Sequence, residues 1–205
     1  MEPGTIVIAG LSLGLLLSLS SDTVLFLLEA LWVRRSRSVA VAATLGAAVG
    51  DTVLIAVGGW LGWQIVTTVE SPGTRATVAI GFFAGLAAKA LLSRLLLSGT
   101  GIAGDGQLPV KPGPAFGRFV LVELLMPTPA ILAAGVVVAW PQLWAAGTAG
   151  PFVGAVVLGG VVWRLQWAMD GRGRRRRWGS RAIPEAVAIL TVGLLAGMAV
   201  WAMPR

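Results

Sequence analysis

The sequence has no cysteine, no histidine and no tyrosine, and only 12% of its 205 residues are charged. Without cysteine there is no disulfide frame, iron–sulfur cluster or thiolate zinc site. Without histidine the usual ligand of zinc, copper and haem iron is missing, so any metal here is a hard ion held by oxygen. A serine or cysteine hydrolase lacks its base or its nucleophile. No cofactor is expected, and no enzyme. The shortage of charge excludes a further class, because a soluble domain carries about 25% charged residues to cover its surface. Something other than water wets most of this chain.

What is present is apolar: 56% of the residues, with a mean hydropathy of +0.84. Crossing ~30 Å of hydrocarbon takes about 20 apolar residues, and six segments qualify. They are Gly4–Trp32, Val39–Val66, Ala76–Leu97, Phe119–Ala139, Ala149–Met169 and Ala186–Met203. No basic region precedes the first run and no small-residue cleavage site follows it, so a retained helix is expected rather than a signal peptide.

The net charge of +7 is unevenly placed. Arg34, Arg35 and Arg37 follow the first segment, and Arg94, Lys111 and Arg118 surround the loop after the third. Arg172, Arg174, Arg175, Arg176, Arg177 and Arg181 follow the fifth, while the alternate loops are nearly bare. Cytoplasmic loops collect Lys and Arg, which puts both termini outside and makes the arginine run a topology signal, not a nucleic-acid site. Trp32, Trp60, Trp63, Trp140, Trp144 and Trp201 fall near segment ends, as an interfacial aromatic belt requires.

The second and fifth segments align without a gap. Thr44, Gly46, Val49, Gly50, Val53, Leu54 and Val57 meet Thr148, Gly150, Val153, Gly154, Val157, Leu158 and Val161. The third and sixth align as Gly81-Phe-Phe-Ala-Gly85 against Gly193-Leu-Leu-Ala-Gly197. Three segments is an odd number, so the second copy is inverted, an architecture used by transporters. The expected fold is an all-α membrane protein of six transmembrane helices in two inverted three-helix repeats. Residues 1–100 form the first repeat, 101–118 a cytoplasmic linker and 119–205 the second. The Gly-x-x-x-Gly pairs, Gly10 with Gly14 among them, allow helices to approach closely.

Ionisable groups inside a span mark a pathway, a partner or a cavity. At 1.5 Å per residue, Asp22 lies about 16 Å, Asp51 about 20 Å and Lys89 about 14 Å from the cytoplasmic side. Two helices are expected to break in the same layer. Ser20, Ser21, Asp22 and Thr23 compete for backbone hydrogen bonds in the first segment. Pro127 and Pro129, around Thr128, remove two amide donors from the fourth. Broken helices at that depth line a cavity or are buried in protein, and their free backbone groups suit a small zwitterion or cation. Asp51 and Lys89 are also placed to pair and tie two helices together. Nearer the cytoplasm Glu29, Arg94, Arg118 and Glu123 are candidates for a gate or for solvated helix ends. Arg164 and Asp170, at the inner end of the fifth segment, are expected at the interface.

This pattern resembles the lysine-exporter (LysE) superfamily, above all its LysE/RhtB-type amino-acid exporters. Those proteins have six hydrophobic segments, a polar break in the first, a short basic loop and then roughly Leu-Gly-x-x-x-Gly-Asp. Here Arg34-Arg-Ser-Arg37 precedes Leu45-Gly46-Ala-Ala-Val-Gly50-Asp51. Met126-Pro127 stands where the family has Asn-Pro, and Pro141-Gln142 matches a Pro-Gln. Ser21-Asp22-Thr23 replaces the family's Pro-Gly-Pro, and Lys89 replaces a small or apolar residue. The resemblance implies amino-acid export across a bacterial cytoplasmic membrane. Leu19-Ser20-Ser21-Asp22 also resembles the metal-exporting branches, in which Asp22 and Asp51 would be the ligands.

The expected mechanism is alternating access. Asp51 takes a substrate ammonium or a coupling proton, Asp22 assists, and Lys89 pairs with Asp51 or takes a substrate carboxylate. Ser21, Thr23, Pro127, Thr128 and Pro129 supply hydroxyls and carbonyls. The expected partners are the bilayer, a small solute and, as coupling ion, the proton; a homodimer is left open. An intramembrane aspartyl protease is the distant alternative: only half of its Gly-x-Gly-Asp motif is present at Val49-Gly50-Asp51.

Overall fold

The computed structural model describes residues 3–20, 22–97, 109, 111–169 and 193, and among them every regular element is helical. The elements are α1 (Pro3–Ser20), α2 (Asp22–Arg34), α3 (Arg37–Thr68), α4 (Pro72–Leu97), α5 (Pro112–Leu124), α6 (Thr128–Ala139), a 3-10 turn η1 (Pro141–Trp144) and α7 (Ala149–Met169).

Local chemistry sets several of these boundaries. Ser36 caps α3, its hydroxyl accepting from the Val39 amide at 3.3 Å, as an extended-backbone Ser does at a helix start. Pro72, Pro112 and Pro141 open α4, α5 and η1, where a missing amide donor is harmless. Between α5 and α6 the prolines break the helix: Met126 N turns back to Glu123 O at 2.8 Å, and the two axes differ by 52°. The break expected in the fourth segment is therefore present. The one expected in the first falls on Ser21, outside the described residues.

α3 and α7 are long and apolar enough to cross a membrane, and the bent α5–α6 pair is a third span if counted as one. The sixth expected segment lies outside the described residues apart from Gly193. Along α3 a stripe of Leu45, Val49, Val53, Val57 and Leu61 is exposed, a contiguous apolar face of the kind a bilayer covers. The helices mark a membrane protein.

Two helix pairs meet backbone to backbone. In the first, Gly46, Gly50, Gly58 and Gly62 of α3 face Phe116, Glu123, Ala130 and Ala134 of α5 and α6. Residue numbers rise together along the contact, so α3 runs parallel to the bent pair. A Cβ at Gly62 would lie 2.7 Å from the Ala134 carbonyl oxygen, closer than any real side chain tolerates. In the second pair, Gly10 and Gly14 of α1 face Phe152, Ala155, Val156 and Gly160 of α7. Those numbers also rise together, so α1 and α7 are parallel. Of the expected close-packing glycines, Gly10, Gly14, Gly46 and Gly50 do pack. Gly81, Gly85, Gly150 and Gly154 have open space beside them among the described residues. In α7 the tight positions are Gly159 and Gly160, not the Gly150 and Gly154 that align with α3. A glycine in a sequence permits an approach, and which face meets a neighbour decides whether it is used.

Two apolar clusters fill the interior. One joins Leu13 and Leu17, Ile55, Phe83, Leu132 and Val156. The other joins Leu28, Leu31, Ala43, Ala47, Phe119 and Ala168. A polar layer separates them.

Candidate functional site

The layer is read most directly along each helix. Asp51 lies on α3 between Ala47 of one cluster and Ile55 of the other. Glu123 lies on the last turn of α5, between Phe119 and the break. Arg164 lies on α7 between Val156 and Ala168. Three helices thus deliver two carboxyls and one guanidinium to one depth.

The three groups touch. Arg164 Nη1 is 2.6 Å from Asp51 Oδ2, and Arg164 Nη2 donates to Glu123 Oε1 at 2.9 Å. Arg164 and Glu123 are fully buried and Asp51 is 5% exposed. Gly50 makes room for the arrangement: a Cβ there would sit 2.6 Å from Glu123 Cβ. The glycine beside the aspartate is therefore what lets the glutamate approach. Several polar atoms remain unsatisfied. Asp51 Oδ1, Glu123 Oε2 and Arg164 Nε have no hydrogen-bond partner among the described residues, and the short Nη1 contact lacks hydrogen-bond alignment. Buried polar atoms are paired in more than nine cases out of ten, so three without a partner among the described residues single this layer out.

A second polar contact borders the layer across the break. Lys89 of α4 donates from Nζ to Thr128 Oγ1, and Thr128 is the first residue of α6. Glu123 and Thr128 thus flank the break, one a carboxyl and the other a hydroxyl that accepts from the Lys89 ammonium.

The expected residues are distributed as follows. Asp51 is in the layer, but its partner is Arg164 and not Lys89. The pairing anticipated between α3 and α4 is replaced by one between α3 and α7, because Lys89 reaches the start of α6 instead. Pro127, Thr128 and Pro129 form the break, with Thr128 and Pro129 buried. The side chains of Ser21, Asp22 and Thr23 lie outside the described residues, as does that of Arg94. Glu123, grouped with the gate candidates, belongs to the layer. Glu29 is buried on α2 and Arg118 is exposed on α5. Arg164, expected at the interface, is fully buried. Its position near Met169 was measured along the chain, whereas its burial depends on the α7 face turned to α3 and α5. The sequence does carry a signal for it: a lone arginine inside an apolar run is expensive unless paired, and Asp51 and Glu123 are among the acids in the other spans.

Chemically the layer holds two carboxyls against one cation. With both carboxyls ionised it has a formal charge of minus one, and a cation or proton restores neutrality. No protein-family model, curated protein or solved structure matches the chain.

Proposed function

We propose that this chain is an inner-membrane transporter that exports small zwitterionic or cationic solutes, amino acids first among them, by alternating access. The observation that carries the reading is the buried Asp51–Arg164–Glu123 layer with its open carboxyl oxygens beside a broken helix. A structural ion pair fills its hydrogen bonds, because leaving a buried polar atom unpaired costs about 1–3 kcal/mol. A binding site leaves them open for its ligand.

The six-span, inverted-repeat architecture belongs to the same proposal. In such a repeat the first helix exchanges with the fourth and the second with the fifth. The parallel pair of α1 with α7 would then exchange with the parallel pair of α5–α6 with α3, and the glycine contacts of both pairs are compatible with that exchange. Substrate ammonium approaches Asp51 Oδ1 and Glu123 Oε2, and the carboxylate goes to Lys89 across the break. The likeness to lysine exporters supplies amino acids as the substrate class and export as the direction. A divalent metal fits less well, since its two charges exceed the single positive charge that the layer lacks.

The test is counterflow of labelled lysine, threonine and leucine into proteoliposomes, with manganese as a parallel tracer. Asp51→Asn is near-isosteric and leaves Arg164 paired with Glu123, so it should fold normally and lose amino-acid counterflow. Counterflow that survives Asp51→Asn would remove the proposed site, and manganese flux alone would move the chain to a metal carrier.

A further inference from the structure

We infer that the Asp51–Glu123–Arg164 layer is the coupling site of the transporter, holding either one proton or one substrate ammonium but never both. The inference rests on the transport reading above and adds what drives it.

The argument is a charge count in a dry place. Two carboxyls and one guanidinium meet where the least buried side chain, that of Asp51, is 8% exposed. An uncompensated ion in such surroundings costs several kcal/mol. With both carboxyls ionised the layer is one positive charge short of neutrality, and a single proton shared by the carboxyl pair closes the gap. A substrate ammonium closes it equally well. Both together would leave an excess positive charge, so each occupant excludes the other. Because the carboxyls face one guanidinium, the proton belongs to the pair and not to either residue. Exclusive occupancy of one charge vacancy is the thermodynamic requirement for exchange: solute moves one way only as a proton moves the other.

Among the described side chains, the other charged groups on the packed helices are few. α1 and α6 carry no ionisable residue. α5 adds only Arg118, which is exposed. α2 contributes Glu29, which is buried, and Arg34 in its last turn; α4 contributes Lys89, held on Thr128, and Arg75 near its start. The side chains of Asp22 and Arg94 lie outside the described residues. The layer also lies at a junction. Arg164 belongs to the α1–α7 pair, whereas Asp51 and Glu123 belong to the α3–α5 pair. Changing the occupant therefore changes the ionic link between two tightly packed bodies, which is where an alternating-access motion has to be controlled.

The experiment uses proteoliposomes with an entrapped pH dye and whichever of lysine, threonine or leucine shows counterflow. In the unaltered protein an imposed amino-acid gradient should move protons in the opposite direction. On the acid side the apparent affinity should weaken about tenfold per pH unit, the slope of one competing proton. Glu123→Gln should abolish proton movement and flatten the pH dependence. Glu123→Asp keeps the carboxyl and should retain proton movement with a displaced pH profile; it serves if the glutamine variant does not fold. Amino-acid counterflow with no proton movement, or proton movement unchanged in Glu123→Gln, overturns the inference while leaving the transporter standing. Absence of amino-acid counterflow in the unaltered protein overturns both.

Discussion

The α3–α5/α6 pair and the α1–α7 pair are built on the same device and used differently. Each lets two parallel helices meet through glycines too close for any side chain. At the first, the space spared by Gly50 admits a glutamate beside Asp51. At the second, a polar contact is Ser18 Oγ donating to Gly160 O at 3.2 Å. Close approach is thus a matter of backbone shape and is shared. Charge is confined to one seam, and its counter-ion is borrowed from the other. Small residues supply rigidity wherever they face a neighbour, but function needs the acid–base set as well.

The comparison breaks most visibly at its one ionic bridge. Arg164→Ala leaves two buried carboxyls facing each other and should lower stability by about 3–5 kcal/mol, read by chemical denaturation in detergent. Adding Asp51→Asn and Glu123→Gln to Arg164→Leu removes the charges together and should restore most of that loss without restoring transport. Failure to recover would mean that the layer holds the fold by more than charge balance.

Next in size, Gly14→Ala and Gly58→Ala each push a methyl into a facing backbone. Each should cost about 1–3 kcal/mol in the same assay, with similar values if the seams are equivalent in packing. A large cost at one and none at the other would show that a single pair carries the rigidity. The smallest effect is expected at Ser18→Ala, about 0.6 kcal/mol for one interhelical hydrogen bond in a membrane, with counterflow unchanged.

The sequence made much of this legible for reasons of spacing. Pro127 and Pro129 remove donors wherever they stand, so the break between α5 and α6 could be placed to a residue or two. Asp51 stood out because an acid in the middle of a long apolar run has few explanations. Its partner was not legible. Helical rise gives depth from the end of a segment, but not the face on which a side chain emerges, and Lys89 was a cation at suitable depth. Arg164 sat five positions before Met169, and counted from that end it resembled an interfacial residue. The glycines misled in the same way: those aligned between the second and fifth segments pack tightly in α3 and face open space in α7 among the described residues.

The reversal between α6 and α7 works as the fold of a ruler. Gly147, at φ 86°, takes the left-handed conformation in that connection, one that other residues adopt only at a penalty. From Ala149 the chain climbs about 22 Å to Arg164, and from Ala139 it descends along α6 and past the 52° bend to Glu123. The two marks meet in the Arg164–Glu123 hydrogen bond. Register, more than composition, therefore brings the charges together. An extra residue in the connecting turn only lengthens a loop, whereas one inserted in α7 ahead of Arg164 rotates it by about 100° and carries it off the mark.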